Sequence, residues 1–102
     1  MSKIKVIVKR PDEEFGHMTR ISNTLENLQK TVGGYIETVT ICTNTVVICN
    51  EEGLLRQLPY NCAVLNEEKF VEFLGVIIVA GVKGDGFSDV QLTMKEWKEM
   101  IQ

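Results

Sequence analysis

Apolar positions recur along this chain at two periods, and the switches between them mark its elements. From Lys3 to Lys9 they alternate, with Ile4, Val6 and Val8 on one face and Lys3, Lys5, Ile7 and Lys9 on the other, which predicts a strand covered on one side only. A polar stretch punctuated by Pro11 and Gly16 follows, after which His17 to Ile21 is short enough to return as an antiparallel partner. The period then lengthens. Asn23 and Glu26 have capping-box spacing, and Leu25, Leu28 and Val32 stand at i, i+3 and i+7, one narrow apolar stripe on a helix that docks with its other faces wet. Gly33 supplies the left-handed residue that ends such a helix, and Gly34 lets the chain turn into an extended run.

Tyr35 to Ile41 has the β-branched and aromatic content of a strand. Thr43, Asn44 and Thr45 make a tight turn, and Thr45 to Asn50 is a further strand, giving a second hairpin. Between Leu54 and Leu65 neither period is legible, and Pro59 breaks whatever pattern begins there. Phe70 to Val82 is the opposite case: Val76 to Ala80 is an unbroken apolar run between Gly75 and Gly81, as in a central strand buried on both faces. Gly84, Asp85 and Gly86 close it as a connection towards a terminal helix, which Thr93 and Glu96 open as a capping box and Met94, Trp97 and Ile101 dock by one stripe. The expected architecture is α+β, a mainly antiparallel sheet of about five strands in the order hairpin, helix, hairpin, central apolar strand. Two helices accompany it, the second C-terminal, in one domain spanning 1–102.

Composition narrows the function classes. A formal net charge of −3 with 25% charged residues lacks the basic excess that a phosphate backbone attracts, so nucleic acid is not an expected partner. The longest mainly apolar run, Phe73 to Val82, falls well short of the roughly 20 residues that span a bilayer, and the chain starts directly in a strand pattern; a cytoplasmic protein with no membrane contact is expected. Cys42, Cys49 and Cys62 are odd in number, lack CxxC spacing and have only His17 to join them, which suits reduced thiols and no metal or cofactor.

Three blocks, NTLENLQKTVGGYIE at 23–37, NEEGLLRQLPYN at 50–61 and GDGFSDVQLT at 84–93, occur in an order and spacing that resembles a small domain-of-unknown-function family from bacteriophages and bacterial integrative or mobile elements. Members of that family often carry a basic residue after the LPxN asparagine, where this chain has Cys62. The resemblance implies a genomic setting and the interior of a bacterial host. It transfers no catalytic residue.

Candidate chemistry is sparse. Gly84 and Gly86 lack the third glycine of a dinucleotide loop, and Asp85 and Asp89 would repel a phosphate. Cys62 and His17 offer a thiol and a base but no orienting third group. Glu51 with Glu52, and Glu67 with Glu68, are neighbours that point to opposite faces, as solvated turn charges do. Lys3, Lys5 and Lys9 share a strand face, the arrangement by which exposed sheets resist aggregation. The strongest binding signal is the loop 50–61, where Asn50, Glu51, Arg56, Tyr60 and Asn61 have the polar and aromatic groups for recognition. The expected function is a non-enzymatic accessory protein that binds a host protein or a host metabolite and modulates the host, its defence included. A nucleotide-like small-ligand sponge with a pocket at a subunit interface is the alternative, and a cysteine-dependent hydrolase a more remote one. A two-fold homodimer is expected if both helices lie on one face of the sheet and leave the other bare.

Overall fold

A computed structural model describes residues 2–102, and within them lie β1 (Lys3–Lys9), β2 (His17–Ser22), α1 (Leu25–Val32), β3 (Ile36–Cys42), β4 (Thr45–Asn50), β5 (Tyr60–Asn66), β6 (Lys69–Leu74), β7 (Ile77–Lys83), β8 (Gly86–Ser88) and α2 (Met94–Met100). The class is α+β, and every strand pair is antiparallel. β7 is central, as its apolar run predicts: the main sheet runs β2-β1-β7-β4-β3, with β8 also on β7 and with β5-β6 as a separate pair. Val79 stands between Ile7 and Val47, and Ile78 between Val8 and Ile48, so neighbouring rows send side chains to opposite faces.

Two cores result. One holds Ile4, Val6, Val8, Val46, Ile48, Ile78 and Ala80 beneath Leu28 and Val32 of α1. The other holds Ile7, Val47, Cys49, Ile77 and Val79 beneath Val64 and Phe73 of the β5-β6 hairpin and Trp97 of α2. The helices therefore lie on opposite faces, and the segment 60–74 covers the side that a dimer would otherwise have to cover. β1 is also covered twice, contrary to the one-sided strand its alternation suggests, because the hairpin and α2 close over Ile7 and Lys9.

Among the described residues there are eight strands rather than about five. β5 and β6 arise from the stretch without a clear period, and Gly75, at φ 76°, splits the long apolar run into β6 and β7. A Cβ at Gly75 would lie 2.8 Å from the Leu58 side chain, so the bend is packed as well as left-handed. The 84–86 stretch is a hairpin turn into β8 and not a direct connection to a helix.

α1 begins one residue later than its cap signal suggests. Thr24 is the N-cap, with its Oγ1 accepting from the Asn27 N–H at 3.1 Å, while Asn23 donates through Nδ2 to the Phe87 carbonyl at 3.1 Å. Leu25 thus sits at the first helical position and is 58% exposed, leaving the stripe to Leu28 and Val32. Gly33 closes the helix at φ 82°, its N–H bonding to the Gln29 carbonyl. Leu28→Ala is expected to destabilise by about 2–4 kcal/mol through lost transfer and the residual cavity, whereas Leu25→Ala should stay within about 0.5 kcal/mol. Chemical denaturation of both variants checks this, and equal midpoints would contradict it.

The capping box of α2 forms in both directions, Glu96 N–H to Thr93 Oγ1 at 3.1 Å and Thr93 N–H to Glu96 Oε1 at 2.9 Å. Beyond α2, Ile101 bridges to Val64 and the Gln102 N–H bonds to the Ala63 carbonyl, so the chain end lies along β5. Among the described residues no helix is long and apolar enough to cross a membrane.

Candidate functional site

The loop residues singled out in the sequence separate into two groups. Asn50 and Asn61 turn inward. Asn50 Nδ2 donates to the Val32 carbonyl at 3.2 Å and its Oδ1 accepts from the Glu52 N–H at 2.7 Å, fastening the end of α1 to the end of β4. Asn61 Nδ2 donates to the carbonyls of Lys9 and Gly75, at 2.8 and 2.7 Å, and its Oδ1 accepts from Lys9 Nζ at 2.7 Å. These amides are spent on the fold. Glu51, Arg56 and Tyr60 are on the surface, and Arg56 is paired with Glu52 at 3.1 Å. Leu54 and Leu55, between them, are 83% and 78% exposed.

Lys9 is buried rather than spread over an exposed face with Lys3 and Lys5, because the hairpin carrying Asn61 packs across it. Its ammonium reaches the Asn61 side chain and two more distant carbonyls, those of Asn61 and Arg10. Among the described residues every buried side-chain nitrogen and oxygen has a partner. His17 lies at the surface 3.0 Å from Glu13, while Cys62 is in the second core, so the pair does not form a thiol and base.

Burial also governs the thiols. Burial, and then the Glu37 carboxylate 4.0 Å away, push Cys49 up to about 11; burial raises Cys62 too, with the Lys9 charge acting against it. A thiol raised in this way keeps its proton at neutral pH and is a poor nucleophile. Iodoacetamide at pH 7.5 is therefore expected to modify exposed Cys42 and to leave Cys49 and Cys62 intact by peptide mass spectrometry. Rapid modification of native Cys49 would contradict this.

The surface feature with a distinct chemistry lies between β3 and β6. A hollow of about 210 Å³ is bounded by Glu37, Val39 and Cys49 from the sheet, Glu51 and Leu54 from the loop, and Val71, Glu72 and Leu74 from the hairpin. A second, about 590 Å³, is bounded by Thr40 of β3 and by Asn66, Glu67, Glu68, Lys69 and Val71. Val71 borders both, so the two hollows adjoin as a groove along β3 whose lining holds five carboxylates and one ammonium beside apolar Val39, Val71, Phe73 and Leu74. It takes Glu51 from the predicted set. Glu37, Glu67, Glu68 and Glu72 were not part of that set: Glu67 and Glu68 read correctly as turn charges, but nothing local places them beside Thr40 of β3, or Glu72 beside Glu37.

A further concavity opens on the other face, at the end of the sheet near the β3-β4 turn. It is about 480 Å³, with Thr38, Thr40, Thr45, Asn44, Asp85 and Phe87 on its walls, and it adjoins a larger one of about 740 Å³ at Ser88 and Asp89.

The family described as domain of unknown function (DUF3846) matches residues 4–102. No curated protein and no solved structure matches the chain.

Proposed function

We propose that this chain, which belongs to the DUF3846 family of domains of unknown function, is a non-enzymatic binding protein. It acts as an accessory of a phage or mobile element in the cytoplasm of a bacterial host, engaging a host protein and so modulating the host, its defence included. The observation that carries the binding reading is the acidic groove between β3 and β6: a concave surface with five carboxylates against one ammonium beside apolar side chains, on a scaffold whose buried side-chain nitrogens and oxygens, among the described residues, are already satisfied. Such a surface steers and selects a cationic partner by charge and holds it by burial. Thiols that burial keeps protonated count against a cysteine-dependent hydrolase.

Affinity capture from bacterial lysate tests this, run side by side with the native chain and with the charge-reversed pair Glu37→Lys and Glu72→Lys. Both positions are exposed, so the fold tolerates the change. Proteins retained by the native chain and depleted at least tenfold on the variant are the expected result; the same proteins on both would overturn it. The Thr-lined concavity with Phe87 supports a second reading, a sponge for a small nucleotide-like ligand that seats its sugar and base there and holds its phosphate away from Asp85 on the same wall, since hydroxyls and an aromatic face suit a sugar and a base. Native mass spectrometry of the purified protein, with a bound mass lost in Phe87→Ala, would favour that reading.

A further inference from the structure

Resting on the binding reading, we infer that the outer edge of β3 is a strand-addition site for an extended segment of a partner protein bearing lysine or arginine at alternate positions. β3 ends the main sheet. The Tyr35 carbonyl faces β4, accepting from the Glu51 N–H at 2.8 Å, and successive residues of a strand turn their backbone groups to opposite edges. Ile36, Thr38 and Thr40 therefore direct theirs outward. One of these outward acceptors, the Thr40 carbonyl, already takes an amide N–H, that of Asn66 Nδ2 at 3.0 Å. The edge is thus reachable by a donor in the position an added strand would use, and the Asn66 amide fixes where such a strand must stop. Ile36 and Thr38 remain, each with one donor and one acceptor.

Edge strands are commonly protected by lysine, proline or a covering element. β3, IETVTIC, has neither residue, and the bulge in its pairing lies between Thr40 and Cys42, beyond the free stretch. Its protection is one of charge. Side chains of an added strand alternate between faces, and those on the hairpin side enter the groove bordered by Glu37, Glu51, Glu67, Glu68 and Glu72, which accepts cations. A second copy of β3 would bring its own Glu37 and acidic groove against the first, and that like-charge encounter disfavours self-pairing. A basic extended segment relieves the same repulsion, so the charge pattern selects a foreign strand over a second copy.

The probe is a fluorescein-labelled nonapeptide alternating lysine with valine, titrated against the full chain by anisotropy. Three comparisons accompany it: the same peptide with glutamate for lysine, and two forms N-methylated at alternate amides, one along each edge of the strand. Binding of the lysine peptide is expected, at least tenfold weaker for the glutamate peptide. Methylation along one edge should abolish binding while methylation along the other is tolerated, because only one edge faces β3. Hydrogen exchange at the Ile36 and Thr38 amides should slow in the complex. Failure of the lysine peptide to bind, equal binding of the glutamate peptide, or tolerance of methylation on both edges would overturn the strand-addition site. If that happens while the Glu37 and Glu72 reversal still releases captured host proteins, the binding reading survives; if capture is indifferent as well, both fall.

Discussion

Trp97→Ala is expected to destabilise the protein by about 3–5 kcal/mol, the range for removing a large aromatic side chain from a packed interior. Trp97 is fully buried in the core shared with Val64, Phe73 and Val90, and its Nε1 donates to the Phe15 carbonyl at 2.8 Å. The indole therefore ties α2 to the loop between β1 and β2 as well as filling space. Against a typical domain stability of about 5–15 kcal/mol, the loss leaves little margin. Trp97→Phe keeps most of the volume and forfeits the hydrogen bond, and should fall well short of the alanine variant. Urea denaturation followed by circular dichroism checks the order, since the chain has one tryptophan and its fluorescence is lost with it. A midpoint for Trp97→Ala close to that of Trp97→Phe would place the indole outside the load of the core.

The second large effect is expected at Asn61. Its amide satisfies the buried Lys9 ammonium and two backbone carbonyls at once, and among the described residues the ion pairs are Arg10–Glu13, His17–Glu13 and Arg56–Glu52, none of which includes Lys9. Asn61→Ala would leave the buried ammonium with only its two longer backbone contacts, to the Asn61 and Arg10 carbonyls, a change that typically costs about 3–5 kcal/mol. Replacing both partners removes the stranded charge. Lys9→Met combined with Asn61→Leu should thus be less destabilised than Asn61→Ala alone, although the carbonyls of Lys9 and Gly75 stay unmet. Chemical denaturation across the set gives the comparison. If the double variant is no better than the single one, the ammonium is not what Asn61 serves.

Local signals were readable where the physics is local. The hairpins β1-β2 and β3-β4, the αL residue at Gly33 and the α2 capping box all depend on residues a few positions apart, and each appears where the sequence places it. Lys9 misled because its alternation describes β1 alone, whereas the hairpin that buries it comes from residues 60–74. Asn50 and Asn61 had the composition of binding residues because an amide's partner cannot be read from its neighbours, and theirs are the distant carbonyls of Val32, Lys9 and Gly75. β5 was obscured by the Pro59 break and by small side chains at Cys62 and Ala63. The acidic groove unites β3 with β6, which have no sequence relation that could announce it. The membership of a domain-of-unknown-function family, by contrast, was legible in three separated blocks of the chain.

The central place of β7 bears on the order in which the molecule assembles. The β1-β2 and β3-β4 hairpins share no strand pairing with one another; each is joined to the sheet through Ile77–Lys83, with Ile7 and Val47 both lying opposite Val79. During synthesis both hairpins emerge early and must wait, with apolar edges unpaired, for a strand made late in the chain. Closing so long a loop before any pairing energy is recovered slows folding. Insertion of β7 is then the step that commits the chain, and a ribosome stalled before Ile77 would hold two half-sheets open to capture by other nascent chains.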